Sequence, residues 1–257
     1  MRTGHFWPQE APGAKEYRMT PTPALPLLDE DVRGKGKINV ILVGDLSENQ
    51  KNEIVDEHND IRRKVEPTAS NMLKMIWSEQ AYKSAKNWAT KCEVRIAPPE
   101  QRTVNGSLCG GNIMQSNYIS SWSDAIKLWF RRVTNFRYGL GAVDIRKDIY
   151  SYTQLIWYKS YQVGCAISYC PHKTFQYLYV CHYCPAGNLV EEAARPYKEG
   201  PPCGDCPEHC EDKLCTNPCK YKDKEKYCKM KMQLFKCKSN WMDRECQATC
   251  RCKTEIK

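Results

Sequence analysis

Ten cysteines from Cys203 to Cys252 follow the spacing C-x2-C-x3-C-x4-C-x3-C-x8-C-x8-C-x8-C-x3-C-x-C. Thiols at this density can either oxidise in pairs or ligate zinc as thiolates. Cys203-x2-Cys206 and Cys250-x-Cys252 have the spacing of ligand pairs. Ten thiolates with only His209 nearby would need several zinc ions in one small module. An even count at close, ordered spacing favours disulfides, which staple a segment too polar to build its own core. The chain carries 16 cysteines in all, so this chemistry expects an oxidising compartment and a secreted, extracellular protein.

The other residues with chemical potential are a histidine, a sequon and a basic run. His58 stands four residues after Ile54 and three before Ile61, within the apolar stripe of an expected helix, so it faces inward. Asn105-Gly106-Ser107 is an N-glycosylation acceptor sequence, with Asn105 as the expected attachment site. Residues 219–257 hold 12 Lys or Arg against 5 Asp or Glu, a net +7 out of +9 for the whole chain. Lys220, Lys222, Lys224 and Lys226 alternate there between Tyr221 and Tyr227, and Lys229, Lys231, Lys236 and Lys238 continue the series. A lysine run is usually a solvated face. On a disulfide-rigid scaffold a docking surface is favoured, because preorganisation lowers the entropic cost of binding. The positive charge alone would admit nucleic acid, anionic membrane or acidic protein as partners. An oxidising compartment argues against nucleic acid.

These groups need elements to hold them. Hydrophobic residues make up 41% of the 257, with 7 Trp, 15 Tyr and 5 Phe, so the middle of the chain can bury a core that the cysteine-rich end cannot. No run of 18 apolar residues exists. Residues 1–46 carry five prolines among scattered charges, and the run Val40-Ile41-Leu42-Val43 is too short for a signal sequence. They are expected to be a disordered, propeptide or non-native extension outside the fold. Ser47 with Gln50 fits a capping box opening a helix through Val65 that Pro67 stops. A second helix is expected from Ser78, with Ala81, Ala85, Trp88 and Cys92 on one face, and a third from Trp122 to Val133. The stretch from Ala97 to Gly111 suggests a loop. Strands are expected at Tyr152–Trp157, Gln162–Ser168 and Tyr177–Tyr183, and a linker from Gly187 to Pro202. Helices first and strands later suggest an α+β layer fold with a mainly antiparallel sheet.

The stretches Tyr152-Thr153-Gln154-Leu155-Ile156-Trp157 and Leu178-Tyr179-Val180-Cys181-His182-Tyr183-Cys184-Pro185-Ala186-Gly187-Asn188-Leu189 resemble the two signatures of the CAP superfamily. Glu57-His58-Asn59-Asp60-Ile61-Arg62-Arg63 and Ala69-Ser70-Asn71-Met72-Leu73-Lys74-Met75 extend the match. With Cys215-Thr216-Asn217-Pro218-Cys219 and the tail cysteines, residues 48–257 resemble a cysteine-rich secretory protein. The closing Thr254-Glu255-Ile256-Lys257 contributes to a likeness to the mammalian epididymal, sperm-associated type.

The resemblance implies an α-β-α sandwich CAP domain at 47–190, a linker at 191–202, a disulfide-rich hinge at 203–218 and a helical ion-channel-regulator-like module at 219–257. It implies the pairs Cys92–Cys170, Cys109–Cys184, Cys165–Cys181, Cys203–Cys210, Cys206–Cys215, Cys219–Cys252, Cys228–Cys246 and Cys237–Cys250. It also implies a cleft with two His and two acidic residues for a divalent metal. At the matched positions this chain has His58, Gln80, Gly111 and Ser151. One histidine with an amide, a hydroxyl and a glycine cannot close a zinc shell, and Glu79 points about 100° away from Gln80 on its helix. No metal and no other cofactor is therefore expected. A Ser151–His58 nucleophile pair would lack an acidic orienter and a G-x-S-x-G context, so no catalysis is expected.

What the resemblance then implies is a secreted, non-enzymatic binding protein of the male reproductive tract, monomeric, that associates with the sperm surface and modulates ion channels and sperm–egg interaction. Its partners would be a membrane ion channel or a sperm- or egg-surface protein, contacted by a Lys–Tyr pair such as Tyr221 with Lys222 or Lys226 with Tyr227. The alternative is a lipid-, sterol- or anionic-lipid-binding or adhesion protein acting through the CAP domain, where Tyr177–Leu189 and the hinge would matter.

Overall fold

The computed structural model describes residues 41, 42 and 44–257, so residues 1–40 and 43 of the extension expected at 1–46 lie outside the described residues. The capping box forms as its residue types require. Ser47 Oγ accepts from the Gln50 amide, and Gln50 Oε1 accepts from the Ser47 amide at 3.0 Å. Helix α1 (Glu48–Arg63) follows and ends short of Pro67. Its inward stripe is polar as well as apolar: Ile54, His58, Asn59 and Arg62 are all buried. Asn59 pairs in both directions with the Met75 backbone, at 2.9 and 2.7 Å. The Arg62 guanidinium donates to the carbonyls of Leu73, Leu155, Trp157 and Tyr158 at 2.8 to 3.0 Å.

The sheet has five strands: β1 (Ile41–Leu42), β2 (Ile76–Trp77), β3 (Gly110–Ser116), β4 (Gln162–Tyr169) and β5 (Tyr177–Cys184). Its order is β1-β4-β5-β3 with antiparallel pairing, and β2 lies parallel on β4. Alternation along the strands divides two cores. Val163, Cys165, Ile167, Tyr179, Cys181 and Tyr183 pack with α1, α3 (Trp122–Phe130) and α4 (Tyr150–Leu155). Ala166, Leu178 and Val180 pack against Tyr82, Ala85 and Trp88 of α2 (Glu79–Ala89) on the other face. The second helix begins where expected, with Ser78 as its N-cap. A Cβ at Gly164 would collide with the backbone of α2 at Tyr82, so only glycine permits this helix to lie so close to the sheet. The result is a helix–sheet–helix sandwich, followed by a small module with helices α5 (Cys228–Phe235), α6 (Asn240–Glu245) and α7 (Gln247–Arg251).

Four expectations are corrected. Within the segment assigned to an outlying extension, Ile41 and Leu42 pair with Tyr169 and Ser168, Leu46 is buried, and Asp45 accepts from Tyr82 and Lys86. Tyr152–Trp157 is not a strand, because α4 occupies Tyr150–Leu155 and buries Tyr152, Leu155 and Ile156 in the core. Its aromatic and β-branched composition fits either element over so short a run, and helical burial decided. Gly110–Ser116, expected within or after a loop, is the edge strand β3, whose two glycines hid it. The stretch expected as a linker is bonded to the sandwich: Ser70 N donates to Lys198 O, Lys198 N to Asn71 Oδ1, and buried Tyr197 donates its hydroxyl to Pro67 O, each at 2.8 to 2.9 Å.

Arg62→Met would strip four buried carbonyls of their donor. Each orphaned acceptor costs about 1–3 kcal/mol, so guanidinium denaturation should show a loss of at least about 3 kcal/mol. Arg63→Met, at a half-buried position whose carboxylate partners Asp60 and Asp212 are exposed, should cost clearly less, about 1 kcal/mol.

Candidate functional site

A cleft of about 540 Å³ opens beside the edge strand. Strand β3 supplies Gly110, Gly111, Asn112 and Ile113, and α3 supplies Leu128 and Trp129. Arg132 comes from the 3-10 turn after α3, and Asp148, Tyr150, Ser151 and Gln154 from α4 and the residues before it. Ile96 and Arg102 enter from the segment after α2, and Gly187 and Asn188 close the far side. A Cβ on Gly110 would run into the Gln154 amide, whereas at Gly111 nothing lies nearer than 3.5 Å. Gly111 is therefore not required by the backbone, and a side chain there could reach into the cleft.

Of the four positions matched to a metal site, Gly111 and Ser151 line this cleft, while His58 and Gln80 do not. His58 is fully buried on α1, with Nδ1 2.6 Å from Ile54 O and Nε2 3.0 Å from the Tyr183 hydroxyl. Ser151 Oγ is directed to Trp129 O at 3.5 Å, and Asn112 Nδ2 bonds both Ser151 O and the Tyr183 hydroxyl. The hydrogen bonds of His58 thus do not join it to Ser151, and among the described residues no side-chain base bonds the Ser151 hydroxyl. The residues that do meet at Gly111 and Ser151 are Ile96, Arg102, Arg132 and Asp148, which sequence matching missed because they are distant in the chain. Their donor set, two guanidinium groups and one carboxylate, does not fit a divalent metal.

A second histidine lies beneath the floor. His182 on β5 is buried, with Nδ1 2.9 Å from Ser84 Oγ and Nε2 without a partner. Its Cδ2 is 3.5 Å from where a Gly111 side chain would begin. Burial pushes the pKa of both His58 and His182 down to about 4, and nearby charges, Arg62 and Arg102 respectively, act in the same direction.

All sixteen cysteines are oxidised, and the bonded pairs are the eight that the resemblance implies. The sulfurs of Cys203, Cys206 and Cys215 gather within 4.8 Å, but each sits in a disulfide and none is free to ligate a metal. Asn105 is exposed at a hairpin tip with positive φ, followed by Gly106.

The basic residues of the tail divide by partner. Lys222 reaches Gly106 O, Lys224 lies 4.0 Å from Glu245, and Lys226 lies 3.4 Å from Glu191. Arg251 covers the Tyr221 ring at 5.0 Å, so Tyr221 and Lys222 do not form a free pair. Lys226 stands over the exposed Tyr227 ring at 5.9 Å, and Lys220 is exposed. The apolar residues of α5 match no motif: Leu234 is 72% exposed and Phe235 60%, and Met230 and Met232 are exposed on the same helix. The signal available was the run Met230 to Phe235, which has no apolar partner in so small a module. Strand β5, by contrast, is buried, so within Tyr177–Leu189 the surface lies at Pro185–Leu189, where Leu189 is exposed.

Sandwich, disulfides and cleft together define a CAP-type domain with a cysteine-rich appendix. The family model described as Cysteine-rich secretory protein family matches residues 55–183, and the Crisp model matches residues 203–257. The chain belongs to the cysteine-rich secretory protein family. It is similar to the structure of NaASP2 with Zn2+, at 26% identity and TM-score 0.54, covering 66% of this chain and 96% of that one. It is similar to BmVAL-1 at 26% identity and TM-score 0.55, covering 68% and 97%. Venom allergen-like protein 4 of Schistosoma mansoni shares the fold at 24% identity and TM-score 0.50, covering 61% and 97%. Family and disulfides are consistent with an extracellular protein, and among the described residues no helix is long and apolar enough to cross a membrane.

The buried histidines set a pH dependence. Folded, both stay neutral to about pH 4, whereas unfolded they protonate near pH 6.5. Each should therefore remove about 1 kcal/mol of stability per pH unit as pH falls from 6.5 to 4, and nothing above 6.5. Denaturation series at pH 7, 6 and 5 should show this slope, and His182→Asn should reduce it by about half.

Proposed function

We propose that this chain is a secreted, non-enzymatic binding protein whose terminal module docks on a membrane ion channel and modulates it. The observation that carries this is the exposed apolar face of α5, with Met230, Leu234 and Phe235 open to solvent between Lys229 and Lys236. A module with so small a core gains nothing from exposing such side chains, and exposed apolar patches with charged borders mark interaction surfaces. Three disulfides, Cys219–Cys252, Cys228–Cys246 and Cys237–Cys250, hold that face rigid, which lowers the entropic cost of docking. Lys226 beside Tyr227 continues the surface. The closing residues Thr254–Lys257 resemble the epididymal, sperm-associated type, so the proposed membrane is that of the sperm cell, with sperm–egg interaction as the process affected. Non-enzymatic action is supported by the separation of Ser151 from His58.

Patch-clamp recording from sperm with the whole protein tests this. Leu234→Ser combined with Phe235→Ser should weaken current modulation at least about tenfold, since burying two such side chains contributes about 3 kcal/mol or more. Ser151→Ala should leave it unchanged. Full potency of the double variant would refute the docking role of α5.

A further inference from the structure

Three of the cleft's polar acceptors are already occupied. Gln154 Oε1 accepts from Gly187 N, Asn188 Oδ1 from Thr153, and Asp148 Oδ1 from Tyr150 N. What remains, apart from Asp148 Oδ2 beside Arg132, is a set of donors. Arg102 is half-buried, and its Nε and Nη1 are held by the carbonyls of Ala97 and Cys109. Its Nη2 has no protein acceptor and the guanidinium no carboxylate partner among the described residues. Arg132 lies 3.8 Å from Asp148, beyond a hydrogen bond, and the Ser151 hydroxyl makes only a long contact to Trp129 O. A partly buried cation without a counter-charge is costly, and an anion entering the cleft would relieve it. The adjoining groove adds Arg131 and Lys147 around the shared Arg132 and Asp148, extending the positive field to the cleft mouth. At the mouth, Leu128 and Tyr150 expose apolar surface, and Ile96 lines the interior.

We propose that this cleft binds a tetrahedral oxyanion, a sulfate or phosphate group carried on a small organic body, and that Arg102 and Arg132 hold it. The planar guanidinium of Arg102, fixed by two backbone carbonyls, offers Nη2 to one oxygen, and Arg132 and the Ser151 hydroxyl serve others. The organic body rests on Ile96, Leu128 and Tyr150. A divalent cation finds two positive charges here and one carboxylate already beside Arg132.

Backbone-amide NMR of the whole protein at constant ionic strength tests this, with phenyl sulfate, inorganic sulfate and Zn2+ as separate probes. Phenyl sulfate should shift Gly110, Gly111 and Ser151 saturably, inorganic sulfate should do so more weakly, and Zn2+ should leave these three unmoved. Arg132→Gln, at an exposed position that folding does not require, should weaken phenyl sulfate binding at least about tenfold, and Arg102→Gln should do the same. Equal affinity for the two sulfates would overturn the organic body. Zn2+ shifting the three amides while sulfate does not, or a sulfate response unchanged in both arginine variants, would overturn the oxyanion site.

Discussion

Arg62 is the point on which the CAP domain's geometry turns. A fully buried guanidinium is unfavourable, and burial lowers its pKa, so its charge survives only because Leu73, Leu155, Trp157 and Tyr158 turn their carbonyls toward it. Those carbonyls belong to the approach to β2 and to the chain leaving α4. One side chain on α1 thereby fixes where α4 ends and β4 begins, and α4 carries the cleft residues Ser151 and Gln154. Asn59, three residues earlier on the same stripe, ties α1 to Met75 in the same way.

The same economy of buried polar groups explains what the cleft lacks. His58 is consumed by Ile54 and Tyr183, and Tyr183 in turn reaches Asn112, so the histidine belongs to a bonded chain under the sheet and not to an open site. Gln154 and Asn188 are likewise spent on positioning Gly187, Ser160 and Tyr150. Apart from Asp148, which stands beside Arg132, the groups left facing solvent in the cleft are cationic or donors.

The tail has a different balance. Its interior is little more than Cys228, Met242 and Cys246, and covalent bonds substitute for burial. It is also joined to the sandwich: Cys215 bonds the backbone of Met72 and Lys74, and the Tyr158 hydroxyl donates to Lys257 O. Anchoring at both ends leaves the Cys228–Phe235 helix to face outward, where its apolar residues have no neighbours to cover them.

By itself the sequence determined what depends on local chemistry and chain-wide pattern: the capping box at Ser47, the helix starts near Ser78 and Trp122, the inward face of α2, the strands β4 and β5, and the family. It also determined that His58 faces inward, because helical spacing alone sets that direction. Tertiary structure decided the rest. Tyr152–Trp157 became helix because burial outweighs β propensity in a six-residue run, and Gly110–Ser116 became strand because β5 offered it a partner. The cleft's true lining, with Ile96, Arg102, Arg132 and Asp148 around Gly111 and Ser151, joins residues from five separate segments. Spacing along a chain reports which side chains share a helix face or a strand face, but it carries no information on which distant segments the core brings into contact. That is why the histidine's burial could be foreseen and the charge of the cleft could not.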